Sequence, residues 1–328
     1  MREIKRVIYI LIVIFVVAGG FWLWRTGRKN EIDVKTSQDQ IQTKESFEYL
    51  TDGRAMSPVL AHDNLSIWYF DENGELLRQH LEKKDDLKKF PLPEHSQINF
   101  AIWPDKGADF IIGTSDGRFW YDSKANIFMP YPKEVKYMVW MPGGQRVAYI
   151  WDDGKEVSLS VAKSNLIDHK VIARLSHSNF HFSVSPNGRS FIFYSASGSE
   201  PLYLVLDGIG ILESVSDKAA VLSAQFGPDG KTVAYVLERD GDKYLHTLDL
   251  SSSTSTMVGT IMTSNGFAWG ASGNLYWSDS SRRIRKSHSE QPVIDKEIVA
   301  EEIIISPDEK ELFFVEDGMG RLRRILVE

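Results

Sequence analysis

The chain has 328 residues, 42% hydrophobic and 12% aromatic, with 24 glycines, 12 prolines and no cysteine. That is enough apolar material for one large all-β domain or two ordinary ones, and it excludes disulfides, thiolate catalysis and cysteine-ligated zinc. The net charge of −7 hides an asymmetry, because residues 1–40 carry seven Lys/Arg against four Asp/Glu and leave −10 on the remainder; an acidic body argues against nucleic-acid binding.

Residues 1–6 are a short basic start. Residues 7–24, "VIYILIVIFVVAGGFWLW", are eighteen residues without a charge, the lower end of what spans a bilayer core of about 30 Å. Trp22 and Trp24 fall where an interfacial aromatic belt would, and Arg25, Arg28 and Lys29 end the segment. A transmembrane anchor is predicted here. A cleaved signal peptide is the alternative, with Ala18-Gly19-Gly20 a poor cleavage site because apolar bulk continues to Trp24. Basic residues flank both ends, so orientation follows the commoner arrangement: N-terminus in the cytoplasm, body outside, single pass through the cell membrane. Residues 25–46 are polar with no apolar period and read as a flexible tether.

From residue 47 to 328 one grammar repeats seven times: a short apolar strand, a Pro-Asp-Gly-like turn, a β-rich strand, a polar Gly-containing turn, and another strand. The anchors are Pro58, Pro104, Pro142, Pro186, Pro228, Ala271 and Pro307, spaced by 46, 38, 44, 42, 43 and 36 residues, which suits a four-stranded propeller blade. Two residues before each anchor stand Met56, Ile102, Trp140, Val184, Phe226, Trp269 and Ile305, all apolar. One further back stand Ala55, Ala101, Val139, Ser183, Gln225, Ala268 and Ile304, mostly small. Strand side chains alternate faces, so the bulky column packs on a neighbouring blade and the small one crowds a narrow axis.

On "SPDEKELFFV", "SPNGRSFIFYS" and "GPDGKTVAYVLERDGDKYL" the chain resembles the TolB-type, WD-repeat-like β-propellers over about residues 47–328. The resemblance implies an all-β, seven-bladed propeller of four-stranded blades, preceded here by one transmembrane helix. It implies no conserved chemistry. The seventh repeat stops at its third strand, "RLRRILVE", and the strand-like "FEYLTD" (47–52) is expected to supply the missing outer strand.

The run GTSDG (113–117) matches the G-x-S-x-G of a hydrolase nucleophile elbow. That elbow needs a helix after it, and "RFWY" reads as a strand, so Ser115 is assigned to a hairpin turn. His177 and His181, in "HSNFHF", have i,i+4 spacing on a strand and share a face. His181 is in phase with the axial column, as is Gln225 in the next blade. A His181/Gln225 metal site is therefore the enzymatic alternative (a propeller lyase or hydrolase), although no carboxylate or third histidine is visibly in phase. The tracts "RRIRK" and "RLRR" put Arg282, Arg283 and Arg285 beside Arg321, Arg323 and Arg324 in adjacent blades, a candidate patch for anionic partners. Asp240-Gly241-Asp242 and Asp152-Asp153-Gly154 read as ordinary turns. With no nucleotide loop or catalytic constellation, the chain is expected to be a non-enzymatic binding or scaffolding module of the cell envelope, without cofactor. Its partner, a protein or glycan, would dock on a propeller face.

Overall fold

The structure, a computed structural model, describes residues 47–327 except 84, 196, 198–200, 207–210 and 214–219. The predicted anchor (7–24) and tether (25–46) lie outside the described residues. Among the described residues no helix is long and apolar enough to cross a membrane.

Seven antiparallel sheets follow one another along the chain as the blades of a propeller. Blade one is Met56–Leu60, Ser66–Phe70, Leu76–His80 and Leu87–Phe90; blade two is Ile98–Ile102, Phe110–Thr114, Gly117–Asp122 and Ile127–Pro130. Blade three is Val135–Trp140, Arg146–Asp152, Val157–Lys163 and Lys170–Arg174; blade four is Phe180–Val184, Phe191–Ser195, Tyr203–Val205 and Ile211–Glu213. Blade five is Ala220–Phe226, Thr232–Arg239, Asp242–Asp249 and Thr254–Thr260. Blade six has only Phe267–Trp269, Leu275–Ser278 and Ile284–Lys286, and blade seven is Ala300–Ile305, Glu311–Glu316 and Leu322–Leu326. Blade seven is completed by Glu48–Tyr49, which pairs Glu48 with Arg324 and Tyr49 with Arg323.

Blade six corrects the expectation of four strands throughout. After Lys286 the sequence "SHSEQPVIDKE" has no alternation and contains a proline, so it cannot sustain a ladder. One bridge, Ile284 to Ile294, is all that forms beyond the third strand.

The core is divided among seven apolar clusters, one at each boundary between successive blades. Second strands are buried on both faces, so alternate residues serve opposite neighbours. Phe313 packs toward blade one and Phe314 toward blade six, both fully buried. Burying such a side chain is worth about 1.5–3 kcal/mol, which makes the blade boundaries the main source of stability. Indoles from inner strands stitch the same boundaries: Trp103 Nε1 donates to Ser57 O at 2.7 Å, and Trp140 Nε1 to Ile102 O at 2.9 Å.

Ser115 is exposed in the two-residue hairpin between Thr114 and Gly117, with strands on both sides and no helix. Gly117 has φ +140°, and Gly113 lies beneath the Phe100 ring, where a Cβ would come within 2.1 Å. The glycines of this motif therefore serve a turn and a close packing contact.

Candidate functional site in the axial channel

Inner strands converge on the propeller axis, so the side chains on their axial face decide what the channel can hold. Five residues before the seven anchors stand Gly53, Asn99, Tyr137, His181, Ser223, Gly266 and Glu302. Five of these side chains are polar or aromatic with a polar group, and they sit at the end of the channel where the inner strands begin. There a cavity of about 470 Å³ is lined by Asn99, Ser223, Gln225, Asn265 and Glu302, with Arg54 at its edge. A second cavity, of about 500 Å³, follows toward the other face and shares Tyr194, Ala224 and Gln225 with the first.

Glu301 and Glu302 both line the first cavity although they are consecutive in a strand. A bulge explains this: the ladder to the second strand runs from Ala300–Glu316 to Glu302–Val315 and skips Glu301. Equivalent skips occur at Asn99, Lys136 and Leu222, so bulging at the channel mouth is a recurring device of this chain. Burial pushes the Glu302 carboxyl up, the negative charge of Glu301 adds to it, and the result is about 7. Glu301 is raised as well, by burial and by its hydrogen bond with Asp317, against the opposing pull of Arg54. A carboxyl that changes charge near neutral pH thus stands in a cavity whose lining also includes Glu301, Arg54, and the amides and hydroxyls of Asn99, Gln225, Asn265 and Ser223.

The other predicted axial residues part company. His181 is held between two tyrosines, stacked on Tyr137 at 4.4 Å and edge-on to Tyr194 at 5.6 Å. Burial and the nearby Arg118 guanidinium push its imidazole down, so it is neutral at pH 7. Tyr137 and Tyr194 share a hydrogen bond, and burial pushes both hydroxyls up. Gln225, in contrast, is exposed to the cavities. The tyrosine rings flank His181, and it lines neither of the two cavities that Gln225 lines. Among the described residues no three His, Cys, Asp or Glu side chains come together to hold a metal ion. His177 is not on the strand with His181: it lies in the preceding loop and stacks on Phe180 at 4.2 Å.

The arginine tracts are drawn into ion pairs. Arg285 meets Asp279 at 2.7 Å, Arg283 meets Asp295 at 3.1 Å, and Arg323 meets Glu316 at 2.6 Å. Arg324 bonds Glu311 and reaches Glu48 at 3.4 Å. Arg321 lies over the Tyr49 ring at 5.7 Å, and Arg282 occupies a turn with φ +61°. Acids on the same blades neutralise most of the proposed patch.

Glu302 is the residue that sequence reading missed. It stands five before Pro307, in the same phase as His181 five before Pro186, and so a carboxylate was in phase after all. Attention to the small column three before the anchor concealed it.

No family model matches the chain, and no curated protein matches it. Solved structures do. An oligogalacturonate lyase from Vibrio parahaemolyticus is 14% identical, with a TM-score of 0.64 over 87% of this chain and 94% of its own. An oligogalacturonate lyase in complex with manganese is 12% identical, with a TM-score of 0.63 over 87% and 93%. The Cps50 (Swd1) propeller domain of Myceliophteria thermophila is 11% identical, with a TM-score of 0.61 over 87% and 100%. At these identities the likeness is one of fold, a β-propeller. The fold commonly mediates protein interactions.

These matches correct the expectation that the chain is not an enzyme. Two lyases share the architecture over most of its length, so a propeller without a recognisable catalytic motif is no ground for excluding catalysis.

Proposed function

We propose that this propeller binds a small polar ligand at the mouth of its axial channel and is held at the cell membrane by residues 7–24, with the propeller outside the cytoplasm. The observation that carries the ligand reading is the convergence of Asn99, Ser223, Gln225, Asn265 and Glu302 on one cavity of about 470 Å³. Its size and its few convergent polar groups are those of a small-molecule site. The uncharged run 7–24 and its basic flanks support the anchor.

A second reading places acid–base chemistry on the same ligand. It is favoured by Glu302, whose carboxyl at about 7 suits a group that must both give and take a proton at neutral pH. In that role Glu302 would hold or accept the proton, and the neighbouring amides would orient the ligand.

The test is thermal unfolding of the intact chain with a panel of polar metabolites that includes oligogalacturonates, repeated with Glu302→Gln and Gln225→Ala. A stabilising ligand whose effect shrinks in both variants is expected. A stabilising ligand indifferent to both would move the site elsewhere and end this reading. For the anchor, protease added to intact cells should cut within residues 25–46 and release the propeller; protection until the membrane is permeabilised would place it inside.

A further inference from the structure

Four polar side chains on the first axial cavity have nothing in the protein to bond. Asn99, Gln225 and Asn265 present exposed amides to it, and none of the three has a hydrogen-bond partner among the described residues. Glu302 is half-buried in the same lining, with neither a hydrogen bond nor an ion pair. Other acids of blade seven are not left so. Glu309 accepts bonds from Ser272, Asn274 and Tyr276, while Glu311 and Glu316 pair with Arg324 and Arg323.

The charged neighbours of Glu302 do not supply what it lacks. Glu301 stands beside it with the same sign, and no lysine or arginine acts on it. Arg54 acts on Glu301, which also shares a hydrogen bond with Asp317. Tyr194, the one other titratable group in the lining, is kept protonated by burial and by its bond with Tyr137. A desolvated carboxyl without a cation either takes a proton or meets a cation from outside. An anionic ligand would face two acids against one arginine already drawn to Glu301. The −10 charge of residues 41–328 also draws cations rather than anions.

A primary ammonium has three N–H donors and no acceptor. The Glu302 carboxylate and the unpartnered amide oxygens of Asn99, Gln225 and Asn265 are acceptors that no protein donor occupies. The second cavity has a different character. Ile102, Trp103, Val139, Met141 and Val184 line it, each partly exposed, and it meets the first at Tyr194, Ala224 and Gln225. An acidic, polar end thus leads to an apolar one, where apolar surface of a ligand leaves water favourably.

We infer that the axial channel takes a primary amine with an apolar body, its ammonium at Glu302 and its body against Val139, Met141 and Val184. This rests on the axial site proposed above and names the class of ligand it holds.

The test titrates the intact chain by calorimetry at pH 8 with phenethylamine, tryptamine and hexylamine. Each is run beside the alcohol and the carboxylate of the same body, and methylammonium serves as the head alone. At least one of the three amines is expected to bind, tenfold or more tighter than its alcohol, its carboxylate and methylammonium. Glu302→Gln should weaken it by about tenfold or more, as the loss of a hydrogen bond between charged groups does. Gln225→Ala, at an exposed position, should weaken it by about three- to tenfold. An alcohol or carboxylate that binds as tightly as its amine, and is weakened by Gln225→Ala, overturns the amine assignment and leaves the axial site standing. Methylammonium binding as tightly as the larger amines overturns it too, as does failure of all three. Amine binding unmoved by both Glu302→Gln and Gln225→Ala overturns the assignment and the axial site together.

Discussion

The carboxylate of Glu309 accepts a hydrogen bond from the Ser272 backbone N–H at 2.7 Å, across the boundary between blades six and seven. The Ser272 hydroxyl donates to the same oxygen at 2.5 Å, while Asn274 and Tyr276 donate to the other at 2.9 and 3.0 Å. Glu309 sits at φ +56°, in the place that Gly188 and Gly230 hold in the matching turns of blades four and five. A side chain in that left-handed region costs roughly 1–2 kcal/mol, so the latch to blade six must outweigh the strain.

That latch sets a pH dependence. Burial pushes the Glu309 carboxyl up, but its hydrogen bonds outweigh burial and hold it at about 2, below the usual 4.5. A carboxyl depressed in the folded state stabilises above its unfolded value, and the contribution is lost as pH falls from about 4.5 toward 2. Glu309→Gln is expected to cost about 1–3 kcal/mol at pH 7. Denaturant unfolding of both proteins at pH 7 and pH 3 checks this; a gap that does not narrow at pH 3 would contradict the assignment.

Ring closure rests on residues far apart in the chain. Tyr49 faces Arg323 in register, with the guanidinium 4.3 Å from the ring centre, and Leu50 N donates to Leu322 O at 3.0 Å. Arg324, 16% exposed, bonds Glu311, Glu48 and the Leu81 carbonyl, so it ties both ends of blade seven to blade one. A chain beginning at Ser57 lacks this strand and exposes the edge of Leu322–Leu326, and it should aggregate where one beginning at Phe47 unfolds cooperatively. In the intact protein Arg324→Ala should cost about 3 kcal/mol, because it breaks the buried tie to Glu311, Glu48 and the Leu81 carbonyl at once. Equal melting temperatures would show that closure does not depend on this residue.

In GTSDG the structural weight falls on the first glycine. Gly113→Ala places a methyl inside the Phe100 ring, and a loss of about 2 kcal/mol or more is expected from overpacking. Ser115→Ala, exposed in the turn, should change stability by less than about 0.5 kcal/mol. Labelling of Ser115 by a fluorophosphonate would restore the elbow reading.

How much of this could be read from the sequence depends on how local the signal is. The anchors and alternating columns report single strands and single turns, so the blades, the axis and the outer strand at Glu48–Tyr49 were legible. The lost strand of blade six was also on the page, in the missing alternation of "SHSEQPVIDKE", although the repeat spacing pointed to a regular blade. The His177/His181 pair misled because i,i+4 spacing has meaning only if one strand covers both, and the strand begins at Phe180. That Glu301 and Glu302 share a cavity depends on a bulge, and strict alternation predicts the opposite.

Glu302 gives the last expectation, and its sign is opposite to that of Glu309. Burial first, and the charge of Glu301 second, raise its carboxyl to about 7 from 4.5. Between those values the folded state binds a proton that the unfolded chain has released. Stability contributed by the neutral form is therefore complete below about pH 4.5 and is lost as pH rises through 7. Glu302→Gln keeps the shape and the hydrogen-bonding capacity while removing the charge. It should leave stability at pH 4 nearly unchanged and raise it at pH 8 by about 1–3 kcal/mol. The same substitution abolishes the proton exchange that the catalytic reading needs, so a protein that gains stability at pH 8 but loses a pH-dependent ligand response near 7 has traded function for stability at one carboxyl. Carbon-13 NMR of labelled glutamate measures the titration directly, and a midpoint near 4.5 in the folded protein would remove Glu302 from the site's chemistry.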